Sequence, residues 1–186
     1  MKRNLALAVS LCLAAQAAWS AAQALKTPIA QKPALLTSVG QSADVEMVKL
    51  LLERAGVPHK VGAQAKTSEL AASGARTLIV VVGGSTKGLG AAGISVEAEL
   101  ERSRALLAEA RRLGMVVIGL HVGGAARRGE LSDKFIRAVI PDSDYVIVVA
   151  SGDKDGLFGK LCGGRIPLEK VEKISGAVDP LRKAFH

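Results

Sequence analysis

The residues best equipped for chemistry stand together in Gly83-Gly84-Ser85-Thr86-Lys87-Gly88-Leu89-Gly90. This stretch supplies backbone amides, two hydroxyls and one ammonium ahead of a helix N-terminus, a combination suited to a phosphate, sulfate or carboxylate. Arg127 and Arg128 stand in a second glycine-bounded loop, Gly123 to Gly129. A guanidinium there can grip an oxyanion through two parallel hydrogen bonds. His121 closes the apolar run just before that loop, with a ring that titrates near neutral pH. Asp153 and Asp155 frame a third polar loop, where Asp-x-Asp among glycines is also ordinary turn chemistry. No further carboxylate or imidazole stands at metal-ligand spacing, so no metal is expected. The candidate ligand contacts are Gly84, Ser85, Thr86, Lys87, Gly88, Gly90, His121, Arg127, Arg128 and Asp153; none is assigned a catalytic role, and no cofactor is expected.

Two nucleotide motifs match in part. Gly88-Leu89-Gly90-Ala91-Ala92-Gly93 has the form G-x-G-x-x-G, and Gly84, Gly88 and Gly90 resemble the spacing of the short-chain dehydrogenase loop. The first does not begin where its strand ends, because Gly83 to Lys87 intervene. No acidic residue closes the next strand to hold a ribose; His121-Val122-Gly123 stand there. The only tyrosine, Tyr145, is followed four residues later by Val149, so a Tyr-x-x-x-Lys pair is absent. Neither G-x-x-x-x-G-K-[ST] nor G-x-S-x-G occurs, which removes the P-loop and the usual hydrolase elbow.

The elements that must position these loops are legible from periodicity. Thr77 to Val82 and Met115 to Val122 are apolar runs rich in β-branched residues, the mark of strands buried on both faces. A helix from about Ser95 to Leu113 joins them, so the unit is a parallel βαβ. Glutamates 97, 99 and 101 fall early in that helix and Arg111 and Arg112 late, as the helix dipole favours; this reads as a solvated charged face. Ala34 to Val39 is a first strand, followed by a helix that Ser42 can cap and Gly56 ends. Val57 to Val61, interrupted by Pro58, is an edge strand. A short helix spans Thr67 to Ser73, another runs from Leu131 to Val139, and Tyr145 to Ala150 is a further buried strand. A helical turn through Leu157, Phe158 and Leu161 follows, then a short strand at Ile166 to Leu168 and a closing helix from Pro180 to Phe185. The alternation predicts an α/β fold, a three-layer Rossmann-like or flavodoxin-like sandwich with a mostly parallel five-stranded sheet in the order 2-1-3-4-5. All the unusual loops then leave the carboxyl edge of the sheet, where open parallel sheets bind ligands.

The chain has 186 residues, enough for one domain with a substantial core. Lys2 and Arg3 precede an apolar run from Leu5 to Ala18, and small residues follow at Ser20-Ala21-Ala22 and Ala22-Gln23-Ala24. This is the pattern of a cleaved signal peptide over residues 1–24, and the run is shorter than the ~20 apolar residues of a spanning helix. Residues 25–34, with Pro28 and Pro33, form an extended lead-in, and residues 35–186 the single α/β domain. The expected location is the periplasm or the exterior, with no stable membrane insertion after cleavage. Loss of Cys12 with the leader leaves Cys162 alone, so no intrachain disulfide can form. Loss of Lys2 and Arg3 lowers 25 basic residues to 23 against 17 acidic. That balance suits anionic partners. Aromatics are only 3% of the chain and interleave with no basic run, which argues against nucleic acid.

The strings GGSTKGLGAAGIS, HVGGAARRGELSDKFI and DYVIVVASGDKDGLF resemble a family of small exported bacterial proteins, catalogued as a domain of unknown function, over roughly Leu35 to the C-terminus. The resemblance implies export and an α/β sandwich; it transfers no activity and no catalytic residue. The expected function is an exported binding module for a small anionic molecule, accessory to transport or sensing. The alternatives are an enzyme at the same edge, with His121 or Asp153 as acid–base group, and a module that docks an envelope protein.

Overall fold

A computed structural model describes residues 25–186. The signal peptide expected over residues 1–24, with Cys12, lies outside the described residues. Six strands form one open sheet: β1 (Ala34–Val39), β2 (His59–Val61), β3 (Thr77–Val82), β4 (Val116–His121), β5 (Tyr145–Val149) and β6 (Leu168–Val171). All neighbours are parallel, in the order β2-β1-β3-β4-β5-β6. The helices are α1 (Asp44–Ala55), α2 (Thr67–Ala72), α3 (Thr86–Ala92), α4 (Val96–Arg112), α5 (Glu130–Val139), α6 (Leu157–Cys162) and α7 (Val178–Ala184). Among the described residues no helix is long and apolar enough to cross a membrane.

The central strand shows why the layers form. Its sequence, TLIVVV, is buried along its whole length. Successive side chains of a strand point to opposite faces. Leu78, Val80 and Val82 therefore enter a core with Leu106 and Leu107 of α4 and Phe135 of α5. Ile79 and Val81 enter a second core with Val48 and Leu52 of α1 and Leu181 of α7. Each such aliphatic side chain, withdrawn fully from water, contributes about 1.5–3 kcal/mol. The β1–β3 register aligns Ala34 with Thr77 and Val39 with Val82, so the two strands end level. From β1 the chain winds outward to β2 and then returns to the other side of β1 at β3. The reversal between β1 and β3 is the topological switch point, where such sheets usually open a crevice.

The fold is the expected α/β sandwich, with three differences in detail. The sheet has six strands rather than five, because Leu168–Val171 pairs with β5 from Val146↔Leu168 to Val149↔Val171. The expected loop from Gly83 to Gly93 is largely helix α3: Ser85 Oγ accepts from the Gly88 amide at 3.0 Å, and Gly93 closes the turn at φ 67°. The lead-in is packed rather than merely extended. Ala30 bridges Phe185 and is fully buried, and the Gln31 amide donates to Thr77 Oγ1 at 3.1 Å.

Candidate functional site

The switch point itself is closed by the chain's own backbone. Gln41, a non-glycine residue at φ 56°, forms an antiparallel bridge with Gly84, and the Ser85 amide donates to the Gly40 carbonyl at 2.8 Å. Gly88 of α3 lies so close that a Cβ there would stand 1.9 Å from the Gln41 carbonyl oxygen. Beneath this turn, Glu99 of α4 is fully buried. Its Oε1 accepts from the Gly40 amide and from Gln41 Nε2, both at 2.9 Å. Arg102 pairs with the same carboxylate, Nε to Oε2 at 2.7 Å, and also donates to the carbonyls of Ser38 and Ala65. Glu99 therefore does not belong to the solvated face that its early helical position predicts. It lies three residues after Val96 and four before buried Ser103, on the inward stripe, and its charge is matched by Arg102.

The amide cradle expected over Gly84 to Gly90 is also internally engaged. The Gly83 amide donates to the Val39 carbonyl at 3.0 Å, the Gly84 amide to Ser132 Oγ at 2.9 Å, and the Gly88 amide to Ser85 Oγ. Gly90 sits inside α3, and exposed Lys87 does not line the cleft described next.

The open polar space lies one step along the edge, between the β3–α3 turn and the segment from Ala126 into α5. This cleft has a volume of about 310 Å³ and brings together Gly84, Ser85 and Thr86 with Arg127, Arg128 and the first turn of α5. Ser85 Oγ accepts from Gly88, which leaves its own hydrogen free to donate. The first helical bond of α5 runs from the Asp133 amide to the Gly129 carbonyl at 2.8 Å, so the amides of residues 130–132 stand at the open, positive end of the helix.

Arg127 lies across the carboxyl ends of β3 and β4. A Cβ on Gly83 would meet its Cγ at 2.9 Å, and a Cβ on Gly123 would meet its Cβ at 2.4 Å. Glycine at both positions lets the side chain pass down to Asp44, where Nε stands 3.4 Å from Oδ2. That carboxylate oxygen is buried and makes no hydrogen bond, and a third of the Arg127 side chain remains exposed. Arg127 also lines the cleft, and its long ion pair with Asp44 includes no hydrogen bond to that buried oxygen.

Arg128, His121 and Asp153 are bonded within the protein. Arg128 bonds Asp133 through Nε and Nη2 at 2.7 and 2.9 Å and Asp155 through Nη1 and Nη2 at 3.0 and 2.9 Å. It also donates to the Gly152 carbonyl and lies over the Phe158 ring. These bonds hold the Asp155 carboxyl well below the usual carboxylate range. Arg128 walls the cleft, but its fork is engaged and cannot close over an anion without breaking two carboxylate pairs. His121 is fully buried, with Nδ1 2.9 Å from the Val82 carbonyl oxygen and Nε2 3.2 Å from that of Gly124. Burial holds its pKa below the ordinary histidine value, against the opposing effect of those two carbonyls. Asp153 is 4% exposed; its Oδ1 accepts from the Phe158 amide at 2.8 Å and its Oδ2 pairs with Lys170 Nζ at 2.7 Å. Of the ten expected contacts, the structure gathers Gly84, Ser85, Thr86, Arg127 and Arg128 at one cleft. It sets His121 and Asp153 beneath the surface and Lys87, Gly88 and Gly90 outside.

Fold and site together define an open-sheet α/β protein of flavodoxin-like strand order, with a self-sealed switch point and a polar cleft beside it. Residues 31–185 match the family described as Domain of unknown function (DUF6305), and the chain belongs to that family. No curated protein and no solved structure gives a significant match.

Proposed function

We propose that the protein is an exported binding module for a small anionic molecule, held at the carboxyl edge of the sheet. The observation that carries this reading is the convergence on one cleft of Arg127, Ser85, Thr86 and the first turn of α5. These are donors, and donors fixed on a strand end and a helix start suit an oxyanion. The same geometry weighs against the enzyme reading. Its two candidate acid–base groups, His121 and Asp153, are enclosed and bonded to backbone groups. Export rests on residues 1–24, with cleavage after Ala22 or Ala24.

Thermal unfolding of the purified protein in phosphate, sulfate, acetate, succinate and glutamate tests the binding. A ligand at ~100 times its Kd stabilises by about 2.7 kcal/mol, which raises Tm by several degrees in a domain of this size. The expected result is such a rise with at least one anion, lost in Arg127→Gln. A Tm unmoved by every anion would overturn the reading.

A further inference from the structure

The polar cleft does not end at Thr86. A second depression of about 540 Å³ runs on from it between α3, the start of α4 and α5. Thr86, Glu130 and Leu131 line both spaces. The character changes across that boundary. The second space is walled by Leu89, Ile94, Val96 and Leu131. Ile94, Val96 and Leu131 are only partly buried, although they pack against the main core. Their position is built in. The Ile94 amide donates to the Leu89 carbonyl at 3.1 Å, Gly93 turns the chain at φ 67°, and Ser95 caps α4 by accepting from the Ala98 amide at 3.1 Å. Apolar side chains held half-open in a groove gain free energy when an apolar group covers them. At the rim, Lys134 pairs with Glu130 at 3.2 Å, so the one carboxylate on the shared wall is matched.

An inorganic anion would fill only the polar half. We propose that the ligand is an amphiphilic organic anion, whose oxyanion head sits against Ser85, Thr86 and Arg127 and whose apolar tail lies along Leu89, Ile94, Val96 and Leu131. This rests on the reading of the polar cleft as an anion site and adds the class of molecule. Both volumes fall in the range of about 300–1,000 Å³ occupied by small organic ligands.

Calorimetric titration of the full protein with acetate, butanoate, hexanoate and octanoate, and with 1-hexanol as an uncharged control, tests the proposal. Each methylene that becomes fully buried tightens Kd by about fourfold. The expected result is affinity that rises along the series, with hexanoate bound at least tenfold more tightly than hexanol. Ile94→Thr and Val96→Thr, which exchange apolar for polar surface at similar or smaller volume, should flatten the series while acetate binding stays unchanged. Equal affinity for all four carboxylates in the wild type overturns the amphiphile and leaves the anion site standing. Hexanol bound as tightly as hexanoate, or no binding by any member, overturns both. The wild-type series decides these outcomes even where a groove variant fails to fold.

Discussion

Glu99 Oε1 on α4 and the backbone amide of Gly40 at the end of β1 stand 2.9 Å apart, and this hydrogen bond ties the longest helix to the turn that seals the switch point. The same carboxylate holds the Gln41 side chain and Arg102, so one buried residue fixes the crevice in its closed form. A ligand that used the switch point would have to displace this network. The neighbouring cleft needs no such rearrangement.

Loss of Glu99 should therefore be severe. Removing one partner of a buried ion pair leaves the other charge unmatched and costs about 3–5 kcal/mol. Glu99→Ala should lower unfolding stability by that amount in urea titration. Arg102→Met should lower it as well, and the double variant should fall well short of the summed losses because the two residues serve one network. Additive losses would show that the pair is not coupled.

The two glycines of α3 make opposite predictions. Alanine at Gly88 places a methyl 1.9 Å from the Gln41 carbonyl oxygen, in a turn where Gln41 already adopts positive φ. Overpacking of this kind costs about 1–3 kcal/mol. Alanine at Gly90 meets nothing within 4 Å and replaces glycine in a helix, which should stabilise by about 0.5–1 kcal/mol. Thermal unfolding of the two variants should show Tm moving in opposite directions. A stabilised Gly88→Ala would mean that α3 does not pack on the Gln41 turn.

The strands were readable from composition because β-branched runs bounded by glycine have few other stable arrangements. The apolar residues Ile166 to Leu168 predict the last strand too early: β6 is Leu168–Val171, whose LEKV carries two charges in four residues and is set by its pairing with β5. The glycine density of residues 83–93 predicts a loop, yet Ser85 caps the segment and contact with Gln41 holds it as helix. That Ser85, Thr86 and Arg127 come together at one cleft is legible in the sequence, because strand ends in a parallel sheet share one edge. Arg128 and Asp153 look equally suitable in sequence, and only the fold reveals that they pair with the carboxylates at positions 133 and 155 and with Lys170. Glu99 escapes the pattern, since an acidic residue in the first turn of a helix is ordinarily exposed.

Cys162 should be inert in the native state. It is 2% exposed, and burial first, then the nearby Asp153 charge, pushes its thiol up to about 11. The reactive form is the thiolate, which is scarce at neutral pH when the pKa is so high. In a Cys12→Ser chain, a disulfide colour reagent at pH 7.5 should label no thiol until denaturant is added, and then one. Fast native labelling would place Cys162 at the surface.

His121 should give the protein a dependence on pH that has a definite sign. The folded state holds its ring below the ordinary value, chiefly by burial, while the unfolded chain takes up a proton near pH 6.5. Both ring nitrogens face carbonyl oxygens; the surrounding charges are Asp44, which favours the imidazolium, and Arg128, which opposes it. Because unfolding then binds a proton, stability falls as pH drops below about 6.5, by up to about 1.4 kcal/mol per unit, until the folded-state pKa is reached. His121→Asn keeps a donor toward the Val82 carbonyl and removes the titration. Urea titrations between pH 7.5 and 5 should show the wild type losing stability faster than this variant, and the difference isolates His121 because His59 and His186 are common to both. The carboxylates paired with Arg128 act in a separate window. Their folded pKa values are depressed, so their contribution is present above about pH 4 and is lost only as the solution becomes more acidic. Parallel curves for wild type and variant would mean that the imidazole titrates alike in both states, with its two carbonyl contacts offsetting its burial.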